Sequence, residues 1–166
     1  MVPPASAATV LRVQYSSEFA QGYTSAISAD GCTYSSTAAG AGTMYDGGTA
    51  MFYSSSTYNE CTGEGYSTYG EAPTELFDFA RSSVHAIATV PLSDGTEIYL
   101  DLTWQGTGTV ERGGSNSRDI LPGQFVQRNS IRGTTQQAVV TGTLSFENAF
   151  ISASTGSSMQ VIISNV

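Results

Sequence analysis

The sequence predicts an all-β fold, an antiparallel β-sandwich of about seven to nine short strands, with a small closed β-barrel as the alternative. Three observations carry this. Apolar residues recur with period two along the chain and almost nowhere with a helical period. Asp-Gly pairs at Asp30-Gly31, Asp46-Gly47 and Asp94-Gly95 punctuate the runs with turn signals. Ser, Thr and Gly make up 61 of 166 residues, a composition typical of exported β-proteins.

The elements follow in order. From Thr9 to Ser16, Leu11, Val13 and Tyr15 alternate with Val10, Arg12 and Gln14. Cys32 to Thr37 and Thr49 to Ser56 are weaker strand candidates. Thr74 to Arg81 is the one helix candidate, with Thr74 as an N-cap after Pro73, and it reads equally as irregular chain or the start of the next strand. Val84 to Trp104 reads as a hairpin, and Glu97 to Gln105 is the clearest half-buried strand in the chain. A three-residue loop Ser93-Asp94-Gly95, with Gly95 left-handed, sets Val90 opposite Ile98, Ala88 opposite Leu100 and Ala86 opposite Leu102. A two-residue loop would slip the apolar set to the wrong face, so the three-residue loop is preferred. It turns His85 to the surface, across from Thr103 and diagonal to Asp101.

Gly106 to Pro122 collects Gly, Ser, Asn and Arg and reads as the longest exposed connection. Gln124 to Ile131 is a further weak strand. Gln137 to Phe146 places Ala138, Val140, Leu144 and Phe146 on an inner face. Ser154-Thr155-Gly156-Ser157 reads as a turn before a closing strand, Met159 to Ser164.

Residues 1–8 read as a flexible N-terminal segment with two readings. One is the remnant of an export signal, because Ala5-Ser6-Ala7 has the small-x-small form of a cleavage site although no apolar region precedes it; the other is simply a disordered Pro/Ala terminus. Residues 9–166 read as a single all-β domain without linker or repeat. Cys32 and Cys61 form an even pair in this composition, which predicts a disulfide and secretion. Such a bridge stabilises by roughly 3–4 kcal/mol on the chain-entropy account.

The segments Asp30-Gly31-Cys32, Asn59-Glu60-Cys61-Thr62-Gly63, Asp101-Leu102-Thr103-Trp104-Gln105-Gly106-Thr107-Gly108 and Val140-Thr141-Gly142-Thr143 occur in that order. This series resembles a loose group of small exported all-β proteins of high-GC soil bacteria, the Asp-Leu-Thr-Trp strand being its most specific part. The resemblance covers about two thirds of the chain and leaves Tyr66 to Arg81 unmatched. It implies secretion and a β-fold and carries over no functional residue. The absence of lysine suits such a source.

Composition excludes much chemistry. Without lysine there is no Schiff base and no phosphate-loop lysine. One His and two Cys cannot build an ordinary structural zinc site or an iron–sulfur cluster. A net charge of −8 and a pI of about 4.3, without a basic run, argue against nucleic acid and anionic membrane surfaces. No stretch approaches the roughly 20 apolar residues that a membrane helix requires.

His85, the only imidazole, would have to serve any Ser-His-Asp mechanism, yet no Gly-x-Ser-x-Gly elbow accompanies it. Glu60/Glu64 and Glu71/Glu75 are close enough in sequence to suggest carboxylate pairs, but acids of an acidic chain are ordinarily solvated. Asp30, Asp46, Asp94, Asn59, Glu60 and Glu64 sit in loops and leave calcium as the one cofactor to consider, although turn chemistry alone accounts for Asp-Gly. Tyrosine is the informative bias. Eight of nine lie between Tyr15 and Tyr69, among them Tyr23, Tyr34, Tyr45 and Tyr53, and Tyr58, Tyr66 and Tyr69 stand in polar surroundings. Exposed rings beside carboxylates stack on sugar faces, so Tyr58, Tyr66, Tyr69, Glu60 and Glu64 form the candidate binding site.

The sequence therefore predicts a secreted, non-catalytic binding module for polysaccharide or cell wall, without cofactor. The alternatives are a self-assembling fibre or coat subunit and a barrel-type enzyme using His85.

Overall fold

The computed structural model describes residues 7–44, 46–121 and 125–164. Among them there are ten strands and no helix: β1 (Ala7–Ile27), β2 (Thr33–Thr43), β3 (Thr49–Asn59), β4 (Glu64–Pro73), β5 (Leu76–Ala80), β6 (Ser83–Pro91), β7 (Glu97–Gly106), β8 (Glu111–Leu121), β9 (Phe125–Gly142) and β10 (Asn148–Ser164). They form one antiparallel path, β4-β3-β2-β1-β10-β9-β7-β6-β5, with β8 paired to β9 beside it. The path ends on β4 and on β5, so the sheet is open and the closed barrel is overturned. No described helix is long and apolar enough to cross a membrane.

The chain divides into two compact units. The larger holds residues 18–111 and 135–152; the smaller holds the described residues 7–17, 112–121, 125–134 and 153–164. Strands β1, β9 and β10 contribute one segment to each.

Strict alternation builds the larger unit. On β6, Val84, Ala86, Ala88 and Val90 are buried, and on β7 Leu100, Leu102 and Trp104 are buried. Their register matches the three-residue loop: Val90 pairs with Ile98, Ala88 with Leu100, Ala86 with Leu102 and His85 with Thr103. Gly95 supplies the positive φ of 86° that the loop requires. Strands β3 and β4 lie against β6 in a sandwich-like layering. The facing residues on β1, β2 and β3 are Ala20, Ala39, Ala41 and Met51, all fully buried. Small side chains on that layer leave room for Trp104, Leu100 and Leu102 on the other.

In the smaller unit the segments lie in the order β1-β10-β9-β8. None of its residues 9–17, 112–121, 125–134 and 153–162 is buried, and β8 is exposed along its whole length.

Several expectations need correction. The helix candidate Thr74 to Arg81 contains strand β5, in which Phe77 and Phe79 turn inward while Leu76, Asp78 and Ala80 are exposed. Period two with two aromatics outweighs the N-cap signal. The connection Gly106 to Pro122 contains β8; with both faces exposed it has no apolar alternation to reveal it. Ser154 to Ser157 lies inside β10. Gly156 is there for room, because a Cβ at that position would meet the Tyr15 ring at 2.1 Å. Strand β9 ends at Gly142, earlier than Phe146. Where the pairing with β9 stops, in the middle of β7, the Thr143 side chain takes over, its Oγ1 accepting from Asp101 N at 3.0 Å. Ten strands replace seven to nine, and β1, at 21 residues, is far from short. Tyr45, Gln124 and residues 1–6 lie outside the described residues.

Candidate functional site

Residues paired across an antiparallel ladder point to the same side of the sheet. The face of β1–β4 opposite Ala39, Ala41 and Met51 can therefore be read row by row. Ile27 pairs with Tyr34, Tyr34 with Tyr58 and Tyr58 with Gly65. The next row on this face is Ser25, Ser36, Ser56 and Ser67, one serine from each of four strands. The row after it is Tyr23, Ala38, Ser54 and Tyr69. A band of serine hydroxyls is thus flanked by Tyr34 and Tyr58 on one side and by Tyr23 and Tyr69 on the other.

Part of this face is concave. A groove of about 390 Å³ is lined by Ser25, Ile27, Tyr34, Ser36, Ser56 and Tyr58 among others. Ser36 Oγ and Ser56 Oγ lie 2.8 Å apart in its floor. Tyr34 and Tyr58 remain 40% and 50% exposed, so their rings are available to a ligand. No carboxylate or guanidinium lines the groove. Hydroxyls with aromatic faces suit a neutral, hydroxyl-rich ligand.

The turns around the groove fix its shape. Cys32 and Cys61 are bridged, with Cα atoms 5.4 Å apart, just before β2 and just after β3. The bridge holds together the strand ends that carry Tyr34 and Tyr58. Asp30 Oδ1 accepts from Ser28 Oγ at 2.5 Å and Cys32 N at 3.1 Å, closing the turn between β1 and β2. The hydrogen bond from Ser28, with that from Cys32, holds the Asp30 carboxyl below the usual carboxylate range. Asn59 Oδ1 accepts from Cys61 N and Thr62 N at 2.9 and 3.0 Å, and its Nδ2 donates to Thr33 Oγ1 at 3.1 Å.

The five residues singled out from sequence do not form one patch. Tyr58 lines the groove, and Tyr69, 68% exposed, lies two rows away on the same face. Tyr66 and Tyr69 stand three apart on β4 and so point to opposite sides. Tyr66 donates its hydroxyl to Asp94 in the turn between β6 and β7. Glu60 and Glu64 flank the turn between β3 and β4, where Glu60 N donates to Cys32 O at 2.8 Å and Glu64 pairs with Asn59. Tyr34 and the serine row carry no signal as single residues; only the cross-strand register assembles them.

The loop acids weighed for calcium are turn residues. Asp46 Oδ1 accepts from Gly48 N at 3.0 Å, and Asp94 Oδ1 accepts from Thr96 N and Thr96 Oγ1 at 3.0 and 2.6 Å. Among the described residues no three His, Cys, Asp or Glu side chains converge to hold a metal ion. Glu75 accepts from Thr89 Oγ1 at 3.3 Å, and Glu71 shares the outer face of β4 with Tyr69.

His85 Nε2 and Asp101 Oδ1 are 2.9 Å apart, with side chains 39% and 42% exposed. Asp78 lies across from His85 on β5, and Thr103 lies across from it on β7. The geometry is the diagonal contact expected from the hairpin register. Compared with known proteins, the chain matches no family, no curated protein and no solved structure.

Proposed function

We propose that this chain is an extracellular, non-catalytic binding module that holds a neutral polysaccharide or cell-wall glycan in the groove between Tyr34 and Tyr58. The observation that carries the reading is the cross-strand pair Tyr34–Tyr58, half exposed beside the row Ser25, Ser36 and Ser56. Sugar rings present apolar C–H faces and a rim of hydroxyls. Tyrosine rings stack on the first at small entropic cost, and serine hydroxyls exchange hydrogen bonds with the second.

Two further features support it. The Cys32–Cys61 bridge suits an oxidising compartment outside the cell and pre-organises the strand ends that bear the two rings. The groove is lined by no carboxylate, imidazole or thiol, which suits retention rather than turnover.

The test is retention of the oxidised protein on insoluble polysaccharides and bacterial cell walls, with calcium and with chelator. Retention on one polymer, unaffected by chelator and lost in Tyr34→Ala and Tyr58→Ala, is the expected result. Retention unchanged in both variants moves the ligand elsewhere, and loss with chelator makes calcium part of the site.

A further inference from the structure

The two units carry opposite formal charges. The smaller contains Arg12, Arg112, Arg118, Arg128 and Arg132 against Asp119 alone, a formal +4. The larger contains Arg81 against the other thirteen acids, a formal −12. A mean pI of about 4.3 conceals this segregation.

Within the smaller unit the arginines share a face. Arg112 and Arg118 are six residues apart on β8, and Arg128 and Arg132 four apart on β9, so each pair points to one side of its strand. Arg118 and Arg128 line one hollow of about 440 Å³, and Arg112 and Arg132 line another of about 570 Å³. On β1, Arg12 shares its side with Gln14 and Ser16, which line a third hollow with Arg132. Among the described residues none of these guanidiniums forms an ion pair. Like charges facing each other across strands are unfavourable until a counter-charge meets them.

The same unit lacks a core. None of its described side chains is buried, and Val10, Leu11, Val13, Ile120 and Leu121 are 43–54% exposed. A sheet with that much apolar surface open to water is an interaction surface. Val10 and Ile120 stand on the arginine-bearing sides of β1 and β8, with Leu11, Val13 and Leu121 on the other sides. A partner on the arginine face must supply carboxylates and cover those two apolar side chains, and a linear polyanion supplies only the first.

We infer that the arginine-bearing unit docks on the acidic unit of a second copy of this chain. Such contacts join unlike surfaces, so they propagate from copy to copy unless a ring closes. This reading is independent of the glycan groove, whose residues lie in the larger unit.

The test is sedimentation velocity of the full oxidised chain over a concentration series, without glycan, at low and high salt. Going from about 0.01 M to about 1 M sodium chloride shortens the screening length from about 30 Å to about 3 Å. The expected result is concentration-dependent association at low salt, weakened by at least about tenfold at high salt. Arg128→Glu combined with Arg132→Glu should abolish it, and Arg112→Ser with Arg118→Ser should weaken it. The wild-type salt series stands even if a variant fails to fold. A monomer at all salts overturns the inference, as does association that strengthens with salt, which would mark apolar sheet-on-sheet packing. A monomer retained on polyphosphate through these arginines also overturns it, because the partner is then a polyanion.

Discussion

The phenol of Tyr66 donates a hydrogen bond to the carboxylate of Asp94, tying strand β4 to the turn between β6 and β7. Ser93 N, donating to Tyr69 O at 2.8 Å, ties the same two segments through the backbone. Together they link the strand at one end of the sheet path to the hairpin that supplies much of the core.

This link is pH-dependent with a defined sign. Hydrogen bonds from the Thr96 hydroxyl, from Tyr66 and from Thr96 N hold Asp94 at about 2, below its ordinary 3.8. A carboxyl depressed by folding contributes stability above its unfolded value and loses it as pH falls through the folded one. The turn's contribution is therefore full above about pH 4 and is lost progressively towards pH 2. Bonding to Asp94 raises the Tyr66 phenol above 10.0, so its contribution is present below pH 10 and is lost on further titration. Denaturant melts of wild type and Asp94→Asn across pH 2–5 check this: the stability difference should shrink as the pH is lowered. A constant difference would contradict it.

Trp104 is the largest fully buried side chain, and its Nε1 has no acceptor within the described residues. Trp104→Ala should cost about 3–5 kcal/mol in chemical denaturation, because β6 and the facing alanines cannot collapse into the space. Trp104→Phe keeps an aromatic ring and removes the unpaired N–H, so its cost should stay below about 1.5 kcal/mol. Equal losses for the two variants would show that the indole contributes more than volume.

Reduction of the Cys32–Cys61 bridge, or Cys32→Ser with Cys61→Ser, should lower the unfolding free energy by roughly 3–4 kcal/mol. It should weaken glycan retention more than Trp104→Phe does, because the freed strand ends carry Tyr34 and Tyr58. Melts and retention assays with and without reductant measure both effects.

Much of the fold was legible wherever one face of a strand is buried. The β6–β7 hairpin shows this best: alternating Val84, Ala86, Ala88 and Val90 admit one register with Leu100 and Leu102, and His85–Asp101 follows from it. Strand β8 and the polar half of β1 were illegible for the opposite reason. Glu111–Leu121 buries neither face, and Ser17 to Ile27 carries its buried positions as Ala20 and Gly22, which give no apolar signal. Gly156 reads as a turn because sequence cannot show the Tyr15 ring beside it.

The candidate site was half legible. Tyrosine enrichment pointed to the stretch of chain that lines the groove, but grouping Tyr58 with Tyr66 and Tyr69 by sequence proximity ignored the pleat. The observed register centres on Asp46 and pairs Tyr34 with Tyr58 and Ser36 with Ser56, whereas a loop centred on Asp46-Gly47 would set Tyr34 opposite Asn59 and Ser36 opposite Thr57.

The most direct measurement compares wild type, Tyr34→Ala with Tyr58→Ala, and Tyr66→Ala with Tyr69→Ala in depletion assays on the polysaccharide or cell wall that retains the protein. The first pair should lose at least about 2 kcal/mol, roughly thirtyfold in affinity. The second pair should bind nearly as wild type, since Tyr66 serves the Asp94 link and Tyr69 lies outside the groove lining. Unchanged binding in the first pair, or no retention of wild type on any glycan, would contradict the account.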